Sequence, residues 1–168
     1  ADPRSARQFG IAIIYQELML GPWLSVAQNL YLGREKQFGR GFLPVKKMNA
    51  TAKEELQKIC IDLDPTVTVT ELGVAEQQMV EIARALSENA RFLLMDEPTA
   101  SLTEKEIEIL FEKINTLRRA GVAIVYISHR LEEIPRIADR VTVMRDGRIV
   151  RSALRGEMDE DQMAEAMV

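Results

Sequence analysis

This 168-residue chain has little of what holds small secreted or metal-bound proteins together. Cys60 is its only cysteine, so an internal disulfide cannot form, and a lone thiol suits a reducing compartment. His129 is its only histidine, which excludes a zinc site built on a histidine pair. No apolar run approaches the ~18 residues of a membrane span. The opening residues, ADPRSARQFG, lack the apolar centre of a signal peptide. Neither sign of charge dominates: 22 Lys and Arg stand against 26 Asp and Glu, a formal net charge of −4, so no basic field would recruit nucleic acid. There is no internal repeat and no low-complexity tract. What remains is 46% hydrophobic and 29% charged, the composition of one globular domain with a core of its own, expected in the cytosol.

Two kinds of segment alternate along the chain. Ile11–Tyr15, Phe92–Met95 and Ala123–Ile127 are short, continuous apolar runs, the pattern of strands buried on both faces of a parallel sheet. Between them lie helical signals. Ser25-Val-Ala-Gln28 is a capping box opening a short helix through Leu32. Asn49 is placed to cap a helix with Ala52, Leu56, Ile59 and Cys60 inward. Val74–Leu86 carries Ala75, Met79, Ile82, Ala83 and Leu86 on one face. Thr103-Glu-Lys-Glu106 opens a helix with Ile107, Leu110, Phe111, Ile114 and Leu117 inward, and Gly121 is placed to end it. Gly39 to Pro44 reads as loop, and Pro65 to Glu71 as a connection. Leu131, Ile134 and Ala138 suggest a short helix limited by Pro135. Asp146-Gly147 between Val141–Met144 and Arg148–Val150 predicts a hairpin with a type I′ turn. Asp159-Glu-Asp-Gln162 caps a last helix. Strands alternating with helices favour an α/β fold with a parallel sheet.

Phe92–Thr99, FLLMDEPT, is the most informative stretch. It sets two adjacent carboxylates, Asp96 and Glu97, at the carboxyl end of a strand, where open α/β sheets place their ligand crevice. Pro98 then forces a turn. Taken alone, this is equally a strand end with two solvated acids. Three further features fall into order around it: Gln16 after the first strand, Leu72-Gly-Val-Ala-Glu76 before the Val74 helix, and His129 after the third strand.

That order and spacing resemble the Q-loop, signature, Walker B and H-loop of ATP-binding cassette (ABC) ATPases over essentially the whole chain. The likeness is to the first nucleotide-binding domain of tandem sugar-import ATPases of the ribose, galactose and xylose type. It is carried by Gly10–Leu18, Leu24–Gly33, Val74–Leu86, Met95–Thr103 and Val122–Leu131. The resemblance implies a P-loop NTPase-like α/β core over 1–18 and 90–168, with a helical subdomain over 19–89 that bears the signature helix. It implies ATP and Mg²⁺ as cofactors. Asp96 and Gln16 would hold the metal, Glu97 would be the general base, and His129 and Gln16 would attend the γ-phosphate. Gly73, Val74, Ala75, Glu76 and Ser101 would face nucleotide across a dimer interface. The implied partners are membrane permease subunits, a second ABC cassette and, indirectly, a periplasmic sugar-binding protein, with the chain peripheral on the cytoplasmic face of the bacterial inner membrane.

Two departures from the family pattern stand out. Its signature usually has Ser and Gln where this chain has Gly73 and Glu76. Gly73 lacks a hydroxyl, and Glu76 would repel a polyphosphate. In addition, no G-x-x-x-x-G-K-[ST] phosphate loop occurs in the sequence. In the family that loop and its strand lie upstream of the position matching Ala1, so the expectation is a piece of the ATPase, inactive alone. Two other readings remain: a non-transport ABC ATPase, and a non-catalytic interaction module built on the same fold.

Overall fold

The computed structural model describes residues 3–39, 44–88 and 90–168. Most of the loop expected over Gly39–Pro44, and Asn89 at the end of the helical stretch, lie outside them. The chain divides into two compact units, Ala1–Val125 and Tyr126–Val168.

In the first unit, a short helix α1 (Pro3–Gln8), which the sequence did not announce, leads into β1 (Ile11–Ile14). Then come α2 (Val26–Leu30), α3 (Val45–Lys58), α4 (Val74–Ser87), β2 (Phe92–Asp96), α5 (Glu104–Arg119) and β3 (Ala123–Ile127), within which the division falls. The sheet order is β1-β2-β3. β1 and β2 are parallel and pair from Ile11 with Phe92 to Ile14 with Met95. α2 packs on α3 and α4, and α4 packs on β1 and α5. Leu30, Leu56, Ile82, Leu93, Met95, Ile107 and Leu110 are all buried there.

Local chemistry explains most helix ends. Ser25 completes its capping box: its hydroxyl accepts the Gln28 N–H at 3.2 Å, and the Gln28 side chain accepts the Ser25 N–H at 2.8 Å. The five predicted inward residues of α5 are all buried. α5 ends with Gly121 at φ 88°, the Gly121 N–H on Arg118 C=O and the Val122 N–H on Leu117 C=O, a Schellman arrangement.

Three expectations fail. Asn49 does not cap α3, which starts at Val45 with Pro44 as its N-cap, so Asn49 lies within the helix; a proline disfavours helical conformation in the residue before it and so sets the helix start. Cys60 is exposed rather than inward, and Ile59 is only half-buried. α3 ends in a second Schellman arrangement, with the Cys60 N–H on Gln57 C=O and the Ile61 N–H on Leu56 C=O, which turns Cys60 to φ 56° and buries Ile61 instead. The strands are not buried on both faces either. Ile13 is 44% exposed, and β3 alternates, with Val125 at 40% and Ile127 at 43%. β1 and β3 are the edges of a three-stranded sheet, and an edge strand has a neighbour on one side only.

The second unit holds α6 (Ile134–Ile137), preceded by a tight turn over Leu131–Glu133, then β4 (Arg140–Arg145), β5 (Arg148–Leu154) and α7 (Glu160–Met167). β4 and β5 form the predicted antiparallel hairpin, with a bulge at Val143/Met144. Asp146 at φ 51° and Gly147 at φ 72° form its type I′ turn. Asp159 caps α7, accepting the Gln162 N–H at 2.8 Å. Val143, Met158 and Met163 make a small core with Leu131, Ile134, Val141, Ala153 and Ala166 around it.

Candidate functional site

The register of β1 and β2 decides what can meet. Ile14 pairs with Met95, so Tyr15 and Asp96, the last residue of β2, lie next along at the carboxyl end of the sheet, and Gln16 and Glu97 follow at that end. Adjacent strands lie roughly 4.8 Å apart. Two of the expected site residues therefore accompany Gln16 for a physical reason: parallel pairing without a register slip. Gln16 is exposed, while Asp96 and Glu97 are half-buried.

Glu97 stands at φ 45°, in the left-handed region. For a residue with a Cβ this costs about 1–2 kcal/mol, and it persists only where the surroundings impose it. The surroundings here are two overlapping turns, Ala100 N–H on Glu97 C=O at 3.2 Å and Leu102 N–H on Thr99 C=O at 3.1 Å, around buried Pro98 and Thr99. The strand is thus broken sharply at the second carboxylate, which is turned out of the pleat that carries Asp96. Ser101 is exposed two residues before Thr103, the residue that precedes α5.

The start of α4 carries negative charge already. Gly73 has no side chain to cap the helix, but its N–H donates to the Glu76 carboxylate at 2.9 Å. From α5, Glu106 accepts the Thr103 hydroxyl at 2.7 Å and the Thr103 N–H at 2.8 Å. Those bonds, with a lesser contribution from the Ala75 N–H, hold its carboxyl below the usual range. The Glu76 carboxylate therefore stands at the start of α4, where free N–H groups and the helix dipole would otherwise favour a phosphate. Val74 and Glu76 are exposed, and Ala75 is buried.

His129 lies in the second unit, two residues after β3, and is exposed. The residues on either side of it converge on one carboxylate that sequence reasoning missed. Glu133, 1% exposed, accepts the Tyr126 hydroxyl at 2.7 Å and the Ser128 hydroxyl at 3.0 Å on one oxygen, and Arg130 Nε stands 3.3 Å from the other. The Ser128 hydroxyl in turn accepts the Arg130 N–H at 3.0 Å.

A second missed acid is Glu81 on α4. It is 7% exposed and accepts the Met19 N–H at 2.6 Å. Burial pushes its carboxyl up, and the Met19 N–H and Arg84 draw it partly back. The available signal was an acid set within the buried 78-81-82-85 stripe of α4. Among the described residues, no three His, Cys, Asp or Glu side chains cluster as a metal cage. The oxygen donors of Gln16 and Asp96 fit a hard ion that takes few protein ligands and fills its shell with phosphate and water.

Ribose import ATP-binding proteins from Rubrobacter xylanophilus and Rhodopirellula baltica are 52% and 49% identical to the chain, each over 99% of it. That from Bacillus subtilis is 48% identical over all of it. The chain spans about a third of these relatives, 33%, 33% and 34% of their lengths. Among solved structures, a nucleotide-free ATP-binding cassette from an ABC transporter superposes with TM-score 0.76 at 22% identity, covering 94% of this chain and 66% of that one. An ABC-transporter cassette in its ADP conformation gives 0.76 at 22% identity, with coverage of 98% and 67%. These likenesses fix the α/β cassette fold, and the family model for ABC transporters matches residues 2–100; the chain belongs to that family.

Proposed function

We propose that this chain is part of the ATP-hydrolysing subunit of a bacterial monosaccharide importer. The observation that carries the reading is the placement of Gln16, Asp96 and Glu97 at the carboxyl end of two parallel strands, with Glu97 held in the left-handed conformation. The sugar class is supported by relatives named for ribose import and for ribose, galactose and methyl galactoside import.

Mg-ATP, when bound, supplies the phosphoryl bond to be broken and a cation that neutralises its charge. Asp96 and the Gln16 side-chain oxygen would hold the metal. Glu97 would orient the attacking water and take its proton. His129 would donate to the γ-phosphate and stabilise charge there. The phosphate cradle itself has no counterpart in this sequence. The start of α4, Gly73–Glu76, and Ser101 would face nucleotide held by a second cassette.

The chain would work as a core over 1–18 and 90–168 and a helical subdomain over 19–89, peripheral on the cytoplasmic face of the inner membrane. Its permease partners would meet the helical part. Met19 at 62% and Trp23 at 81% exposure give an apolar surface in the loop that begins with Gln16. A periplasmic sugar-binding protein would act through the permease.

The test is reconstitution of the full-length protein with its permease in vesicles. Uptake of a labelled pentose or hexose that requires Mg-ATP on the ATPase side is expected. ATP hydrolysis without any sugar-dependent uptake would overturn the import reading.

A further inference from the structure

Between β1 and α2 the chain runs from Tyr15 to Leu24 without helix or strand. Its backbone groups must find partners outside any ladder. Two grips supply them. Glu81, in the second turn of α4, accepts the Met19 N–H at 2.6 Å, and Arg84, one turn on, donates to the Met19 C=O at 3.2 Å. Both polar groups of one residue are thus taken by side chains three apart on one helix face. Two residues further, fully buried Asn29 of α2 accepts the Gly21 N–H at 2.7 Å and donates to the Gly21 C=O at 3.1 Å. Placing a carboxylate in the packed face of α4 is unfavourable unless its hydrogen bonds repay the desolvation. An alanine or leucine would fill that face without the burden. What Glu81 adds is a fixed place for Met19, three residues after Gln16.

We infer that Glu81 and Arg84 are positioning residues for Gln16: β1 anchors its loop on one side and the Met19 grip of α4 on the other. The inference rests on the nucleotide role proposed for Gln16. Neither residue touches nucleotide in this scheme. Each acts through the Met19 peptide, so loss of the grip lets Gln16 wander from the sheet end it shares with Asp96 and Glu97.

The test uses the full-length protein with Glu81→Ala, Glu81→Gln and Arg84→Ala. Two quantities are measured: amide exchange by mass spectrometry over residues 16–20 and, separately, over α4, and kcat and KM for Mg-ATP. Removing a charge-assisted bond is expected to speed exchange in the loop about tenfold in Glu81→Ala and lower kcat by a similar factor, with KM little changed and α4 protected as before. Glu81→Gln keeps an oxygen for the Met19 N–H and should restore both. Arg84→Ala should loosen the loop to a smaller degree, and it keeps the question open to measurement if Glu81→Ala misfolds. Unchanged loop exchange in Glu81→Ala, equal loosening of α4, or a kcat that Glu81→Gln does not rescue would overturn the inference. If the unmodified protein shows no Mg-ATP turnover, the ATPase reading fails, while the exchange data still decide whether Glu81 fixes the loop.

Discussion

Replacing Glu133 should unsettle the segment that carries His129, and the structure allows the size to be worked out. Glu133→Ala removes the acceptor of the Tyr126 and Ser128 hydroxyls and the buried carboxylate 3.3 Å from Arg130 Nε. Breaking a buried ion pair by deleting one member costs about 3–5 kcal/mol, because the remaining groups lose their compensation. Two features reduce the figure here. The Arg130 side chain is 27% exposed, so water can reach it, and Glu132 offers a second carboxylate 3.1 Å from the same nitrogen. The lower end, about 3 kcal/mol, is therefore expected. Glu133→Gln keeps the shape and one acceptor oxygen but loses the charge, which should cost about 1–2 kcal/mol. Tyr126→Phe leaves the carboxylate short of one donor and should cost about 1 kcal/mol. Urea unfolding followed by circular dichroism gives these differences. NMR adds a local readout: the His129 imidazole signal, assigned by its loss in His129→Ala, should shift in Glu133→Ala and stay nearer its place in Glu133→Gln. A loss below about 1 kcal/mol in Glu133→Ala, with the imidazole signal unmoved, would refute the view that this carboxylate holds the segment.

Other substitutions probe the rest of the molecule. In the full-length protein, Glu97→Gln should lower turnover by at least about a hundredfold while ATP binding, measured by calorimetry, persists; near-normal turnover would remove Glu97 as the general base. His129→Ala should depress turnover as well. Gly73→Ser with Glu76→Gln should strengthen ATP-dependent association in sedimentation, because it adds a hydroxyl and removes a charge; a Cβ at Gly73 meets only Glu76 Oε2, at an ordinary 3.7 Å, so the serine fits. Cys60→Gly should stabilise by about 1 kcal/mol in urea unfolding, by relieving a left-handed residue at the end of α3. Ile127→Lys should raise the soluble yield of the chain by charging an exposed apolar edge, and an unchanged yield would mean that β3 does not template aggregation.

What was legible in the sequence was local. A capping box is a contact three residues long, so Ser25–Gln28 and Thr103–Glu106 could be read directly, as could Gly121 and the Asp146-Gly147 turn. The three strands were legible from their apolar runs, but their exposure was not, because it depends on how many neighbours each strand has. Cys60 shows the same limit: a Schellman ending normally signals itself by glycine, and here Ile61 fixes it by burying its side chain while the cysteine takes the strained conformation. The carboxylates divide in the same way. Asp96 and Glu97 were legible as candidates because an apolar strand ends on them in sequence order. Glu81 was read past because its partner Met19 is 62 residues away in the chain, and nothing in Val80–Ala83 distinguishes it from a solvated helix acid except its place in the apolar stripe. Glu133 sits between Leu131 and Ile134 and was hidden by the adjacent Glu132, although the two have opposite fates, one buried among donors and the other exposed. Residues that would touch nucleotide are thus readable from strand ends and helix starts. The acids that hold those residues in place emerge only when the chain has folded and their partners have arrived.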